Sequence, residues 1–165
     1  MNIRANLVLL AVAAICSNSI AAVPAAKPAV KPTAAAGKVC KLAIGGNDAM
    51  QYDKKELSIT ADCKTVELTL KHTGKLPISA MGHNWVLTKT GDAMPVNNAG
   101  LTVGVAKNHV PPGDKRVLAA TSLVGGGQSV TITFATKGLV KGGDYTFFCS
   151  FPGHIGLMRG KFIVQ

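Results

Sequence analysis

From Val39 onward apolar and polar residues alternate singly over short runs, the period-two pattern of strands with one buried face. Val66, Leu68, Leu70 and His72 interleave with Thr65, Glu67, Thr69 and Lys71, and Val130, Ile132 and Phe134 interleave with Ser129, Thr131 and Thr133. Shorter candidates lie at 39–44, 56–60, 84–89, 116–119, 145–149 and 160–164, punctuated by Gly45-Gly46, Gly125-Gly126-Gly127 and Gly142-Gly143. Seven or eight short strands at this spacing predict an all-β domain, an antiparallel β-sandwich with Greek-key connections. The stretch 92–107 fits neither period, and Pro95, Gly100 and Gly104 disfavour a long helix there. At most a short helix is expected, in a flap across the sandwich. No internal repeat is visible.

The pattern breaks before this domain, which is assigned to residues 38–165. Residues 1–22 read as an export signal: Arg4 supplies a positive start, 7–15 is a short apolar run, and Ser19, Ala21 and Ala22 are the small residues of a cleavage site. The apolar run is too short to span a bilayer, so the mature form is expected to have no transmembrane segment. Residues 23–37, VPAAKPAVKPTAAAG, form a Pro/Ala/Lys-rich spacer. Proline makes such a segment extended and semi-rigid, and a role in holding the domain away from its N-terminus stands equal with disorder of no consequence.

Export places the chain where disulfides persist. Of its four cysteines, Cys16 lies in the signal, and the three that remain imply one thiol that is free, bonded to another chain or bound to a metal. Cys40 and Cys63, in polar surroundings near strand ends, are paired in this reading, which leaves Cys149. A buried free thiol is the plain alternative for Cys149. Lipidation of Cys16 would tether the chain, but Ile15 is not the small residue that cleavage prefers. From Lys38 onward 15 basic residues face 8 acidic ones, a balance of +7. Such a field suits an acidic protein partner or nucleic acid. Lys41, Lys64, Lys75, Lys89 and Lys137 are nevertheless scattered singly, with no basic block or interleaved aromatic row, and this argues against nucleic-acid binding.

The most chemically loaded stretch is 145–160, YTFFCSFPGHIGLMRG. Cys149, His154 and Met158 follow one another at Cys-x4-His-x3-Met with no carboxylate between them. Thiolate and thioether are soft donors, and together with imidazole they suit copper rather than calcium or magnesium. A blue copper site needs a second imidazole. His83, in MGHNWVL, is the candidate. It shares a strand face with Trp85, large and apolar enough to anchor the core, and so points inward near the end of the sandwich where the 145–149 strand also stops. Taken singly, His83 is an ordinary core histidine, Met158 a gap filler and His154 a surface residue. The three residues at this spacing, with the turn-forming Pro152-Gly153, fit metal ligation better. His109, beside Pro111-Pro112, reads as a solvated loop residue.

The segments GNDAMQY at 46–52, MGHNWV at 81–86, and FFCSFPGH and LMRG within 147–160 resemble the azurins, small blue copper proteins of bacterial periplasms, and the likeness runs over 40–165. The resemblance implies a cupredoxin-like sandwich of about eight strands with a Cys40–Cys63 disulfide. It implies one type 1 copper ion held equatorially by His83, Cys149 and His154, with Met158 and the carbonyl of Gly82 as weak axial contacts. Asn84 would tie the His83 segment to the Cys149 loop, and the backbone N–H groups of Asn84 and Phe151 would point at the sulfur. Electrons would pass at the edge of His154 through an apolar patch of Met50, Leu76, Pro77, Leu101, Pro152 and Gly153.

The implied function is a periplasmic one-electron carrier between Cu(II) and Cu(I), not an enzyme, serving redox proteins such as c-type cytochromes or periplasmic reductases. A copper storage or delivery module with an exchangeable site is the alternative. An enzyme with Cys149 as nucleophile and His154 as base lacks an orienting carboxylate. His72 matches an azurin position linked to slow pH-dependent behaviour, although a core histidine is the simpler account. Two features depart from the family: the spacer before Lys38, which suggests a tethered form, and Gly156, which would loosen the ligand loop and shift the potential.

Overall fold

The computed structural model describes residues 37–165; the expected export signal, Cys16 and the spacer up to residue 36 lie outside the described residues. Two sheets face each other. One is built from β1 (Lys38–Asn47), β2 (Gln51–Tyr52), β4 (Cys63–His72) and β7 (Ser129–Ala135) in the order β2-β1-β4-β7. The other contains β3 (Glu56–Ile59), β5 (Val86–Lys89), β6 (Ala119–Ala120), β8 (Tyr145–Phe148) and β9 (Arg159–Val164) in the order β3-β9-β8-β5-β6. Both sheets are mixed. After β2 the chain crosses to the second sheet for β3 and returns for β4, which then lies parallel to β1, from Lys38 beside Cys63 to Gly46 beside His72. β3 runs parallel to β9 for the same reason. The remaining pairings are antiparallel.

The period-two strands bury the faces their patterns call for. Val66, Leu68 and Leu70 of β4 are fully buried and meet Trp85, Leu87, Phe147 and Phe162 from the opposite sheet. Trp85 is the centre of this layer, with ring centroids of Phe134, Phe147 and Phe162 at 5.9, 6.0 and 6.1 Å. Truncating a residue so enclosed costs about 3–5 kcal/mol. A disulfide joins Cys40 to Cys63 at the start of the β1–β4 pair, closing a separation of 23 residues. A loop of that length constrains the unfolded chain by about 3 kcal/mol.

The flap contains a longer helix than the sequence led us to expect, α2 at Ala93–Val103. Its proline and glycines do not break it. Pro95 is the third residue, inside the first turn, where backbone N–H groups have no helical partner to lose. Gly100 faces the neighbouring loop so closely that an added Cβ would lie 2.0 Å from the carbonyl oxygen of His109. Gly104 ends the helix at φ +72°, a conformation glycine adopts without strain. α2 lays Ala93 and Val96 over Val86 and Phe148, a second small core on the outer face of the five-stranded sheet. Among the described residues no helix is long and apolar enough to cross a membrane.

Candidate metal centre

The C-terminal end of β1, the end of β4, the end of β8 and the start of β9 meet at one end of the sandwich. Here the β8–β9 hairpin opens into the loop 149–158. Its mouth is closed by Cys149 N–H donating to the Met158 carbonyl at 2.9 Å, and its interior turns on Met158 N–H and Leu157 N–H donating to the His154 carbonyl at 2.8 and 3.0 Å. Residues 154–156 form a single 3-10 turn. From the other side comes His83, held by an isolated bridge in which its N–H and carbonyl pair with Val124 at 3.0 and 2.8 Å.

His83, Cys149 and His154 converge. One donor atom from each lies within 4.8 Å of the others. The sulfur of Cys149 is 4.0 Å from Nδ1 of His83, 3.6 Å from Nδ1 of His154 and 3.9 Å from the carbonyl oxygen of Gly82. Cys149 and His83 are fully buried, and His154 is 2 % exposed. Nε2 of His83 donates to the carbonyl of Asn47 at 2.8 Å. This leaves Nδ1 as the unprotonated nitrogen, aimed at the sulfur. Met158 is fully buried. Its methyl and the His83 ring both crowd Gly46, where an added Cβ would meet them at 3.2 and 2.8 Å.

The protonation states suit a metal. Burial pushes the Cys149 thiol up to about 12, opposed by hydrogen bonds from the backbone N–H groups of Asn84 and Phe151. Burial, and then the neighbouring imidazoles of His83 and His72, lower His154 to about 4. Burial likewise lowers His83. Both imidazoles therefore offer lone pairs at neutral pH, and the thiol keeps its proton until a cation displaces it. One soft thiol, two imidazoles and an adjacent thioether, with no carboxylate in the cluster, form a donor set that fits copper.

A layer of hydrogen bonds orients these groups. Asn84 accepts from Ser150 N–H at 2.9 Å and donates to Ser150 Oγ at 2.8 Å and to the Asn108 carbonyl at 2.7 Å. It thus joins the His83 segment, the Cys149 loop and the segment after α2. The Tyr52 hydroxyl donates to the Asn84 carbonyl. The Phe151 ring packs 4.7 Å from His154. His72 is fully buried and stacks on His83 at 4.3 Å; it accepts from Gly74 N–H at 3.0 Å through Nδ1, and its Nε2 is 2.8 Å from the Met81 carbonyl. Ser150, Asn108 and Tyr52 carry no sequence signal for this role, because their partners are brought near only by folding.

His109 is not the solvated loop residue its prolines suggest. It is 8 % exposed and meets Phe151 edge-on at 5.7 Å, because the close approach of α2 at Gly100 folds its segment inward. Of the six residues expected to surround the edge of His154, Leu76, Pro77, Leu101, Pro152 and Gly153 are exposed, while Met50 is half-buried against the main core. Ile78 is also exposed; it opens α1 (Ile78–Met81), a single turn of helix too short for periodicity to reveal.

The family model for copper binding proteins of the plastocyanin/azurin family matches residues 38–165. The chain is 51 % identical over 121 residues to an azurin of Bordetella pertussis, covering 73 % of this chain and 81 % of that one. It is 48 % identical over 121 residues to azurin-1 of Alcaligenes xylosoxydans xylosoxydans, covering 73 % and 94 %. Among solved structures, the azurin Az-iso2 of the methylotroph Methylomonas sp. strain J is similar at TM-score 0.74 and 39 % identity, over 76 % of this chain and 98 % of that one. With this sandwich and this donor set, the chain belongs to the plastocyanin/azurin family of copper binding proteins, and copper is its cofactor.

Proposed function

We propose that the protein is a periplasmic one-electron carrier with a type 1 copper site, in which His83, Cys149 and His154 are the equatorial ligands and Met158 and the Gly82 carbonyl the weak axial contacts. The observation that carries this reading is the convergence of three buried donors within 4.8 Å, one of them a thiol and none a carboxylate. Copper bound there supplies a one-electron couple between Cu(II) and Cu(I). The chain contributes positions that do not depend on the metal. Asn47 fixes the His83 ring, Asn84 and Ser150 fix the Cys149 strand end, and the paired backbone of Cys149 and Met158 closes the loop. Donors held in this way need little rearrangement when the oxidation state changes, which lowers the barrier to transfer.

His154 stands on the loop beside the exposed Pro152-Gly153. The apolar patch of Met50, Leu76, Pro77, Leu101, Pro152 and Gly153, extended by Ile78, is where a redox protein such as a c-type cytochrome or periplasmic reductase would dock. The charged start, short apolar run and small residues of 1–22 support export. Full burial of Cys149 and His83 speaks against a storage or delivery module, whose donors must exchange metal readily.

Electron paramagnetic resonance and redox titration of the copper-loaded protein test the reading. A carrier gives the narrow copper splitting and intense blue absorption of a covalent thiolate bond, both lost in Cys149→Ser, and cycles reversibly with the metal retained. A blue Cys149→Ser protein refutes the ligand assignment. Copper surrendered to a modest chelator points instead to delivery.

A further inference from the structure

On the outer face of the five-stranded sheet, where α2 stops covering it, lies an open groove of about 610 Å³. Its apolar lining comes from Ala93 and Met94 of α2 and from Ile155, the residue after His154. Its charged lining is Lys55, Arg159 and Lys161 against a single carboxylate, Glu56. The fold gathers cations that are separate in the sequence. Arg159 and Lys161 are two apart on β9 and share the face opposite buried Phe162 and Val164. The parallel register of Glu56 with Lys161 then brings Lys55 alongside. Lys55 Nζ donates to the Leu157 carbonyl at 2.8 Å, which fixes its ammonium over the ligand loop with two donors to spare. Among the described residues the ion pairs involve Lys38, Lys41, Lys54, His72 and Arg116. None neutralises the groove cations.

We propose that this groove is a docking site for an acidic segment of a protein partner, with carboxylates meeting Lys55, Arg159 and Lys161 and an apolar side chain resting on Met94 and Ile155. The charge excess calls for an anion, and the apolar wall calls for more than an inorganic one. A volume of this size takes several side chains. The proposal rests on the reading of this end as the partner-facing end: Ile155 follows His154 directly, so a partner seated at the apolar patch reaches the groove along the same loop. Complementary charge at such a rim steers encounter more than it tightens the complex.

The test uses copper(I)-loaded, isotope-labelled protein titrated with a peptide of alternating glutamate and leucine, with hexaglutamate, and with hexacyanochromate(III) as an inorganic probe. Amide shifts should concentrate at residues 55, 94, 155 and 159–161, and the mixed peptide should bind more tightly than hexaglutamate. The double variant R159Q/K161Q should weaken the mixed peptide about five- to tenfold, the loss expected for two exposed charge pairs. K64Q/K137Q, with Lys64 on β4 of the other sheet and Lys137 in the turn after β7, should leave it unchanged. Salt at about 0.5 M should remove most of the binding. Binding by hexacyanochromate alone, shifts spread over many lysines, or an unaffected R159Q/K161Q protein would overturn the proposal. Repeating the titration on zinc-loaded protein separates it from the copper reading, because the groove contacts a peptide whether or not the bound metal cycles.

Discussion

Gly46 has no side chain because His83 and Met158 occupy the space a methyl group would need, at 2.8 and 3.2 Å. Gly46→Ala is expected to keep the fold at a cost of about 1–3 kcal/mol, typical of overpacking, while displacing one or both residues. A changed visible and paramagnetic spectrum together with a lowered urea midpoint would check this. An unchanged spectrum would mean that strand β1 yields instead. Met158→Leu removes a weak donor of similar volume, so the protein should retain copper and its potential should rise, as read by redox titration. Loss of all copper would show that the thioether contributes more than an axial contact. Among single residues, the buried grouping of His83, Cys149 and His154 was legible in part: Cys149 and His154 lie five apart in one loop, whereas His83 had to be sought elsewhere. Ser150 and Asn108 were not legible, since a serine and an asparagine in loops look alike whether or not they orient a ligand.

At the scale of elements, the longer strands were read well because alternation is imposed directly by one buried face. The strand expected at 116–119, however, is only Ala119–Ala120, the one expected from 84 begins at Val86 with His83 in an isolated bridge, and β2 is too short for a pattern to show. The flap was misjudged in length. Pro95 and Gly100 carry unfavourable helix propensity in general, but in this helix one sits in the first turn and the other meets a carbonyl that leaves no room for a side chain. Gly100→Ala should therefore destabilise the protein although alanine is the better helix former. We expect a loss of more than about 1 kcal/mol in denaturant unfolding, with increased amide exchange in α2 and around His109. A gain in stability would mean that the flap shifts freely. Gly156, expected to loosen the ligand loop, sits in the 3-10 turn with nothing within 4 Å of an added Cβ. Sterics therefore do not require glycine there.

For the whole molecule, burial of imidazoles without a cation implies a definite pH response. His154 in the folded metal-free protein takes its proton near 4 rather than at its ordinary 6.5, and His83 is shifted in the same direction. Between those values the unfolded chain binds more protons, so stability falls as the pH drops from about 6.5 towards 4. At the alkaline side Cys149 keeps its proton up to about 12 when folded against an ordinary 9, so the stability it contributes is lost as the pH rises through that range. Urea midpoints of the metal-free protein at pH 4.5, 7 and 10 should peak at the middle value. A midpoint that rises on acidification would contradict the burial of His154. Copper needs neutral imidazoles and an ionised thiol, so its loading near neutral pH should release about one proton per ion, measurable in weak buffer.

The sequence by itself determined the all-β class, the position of most strands and the kind of metal chemistry, because hydrophobic alternation and donor softness are properties of local residue order. Only the tertiary structure decided that β1 and β4 run side by side in parallel, that His109 is buried, and that Lys55, Arg159 and Lys161 share one groove. Each of these depends on which distant segments become neighbours. Crossovers between sheets set those neighbours, and no short-range pattern along the chain encodes them.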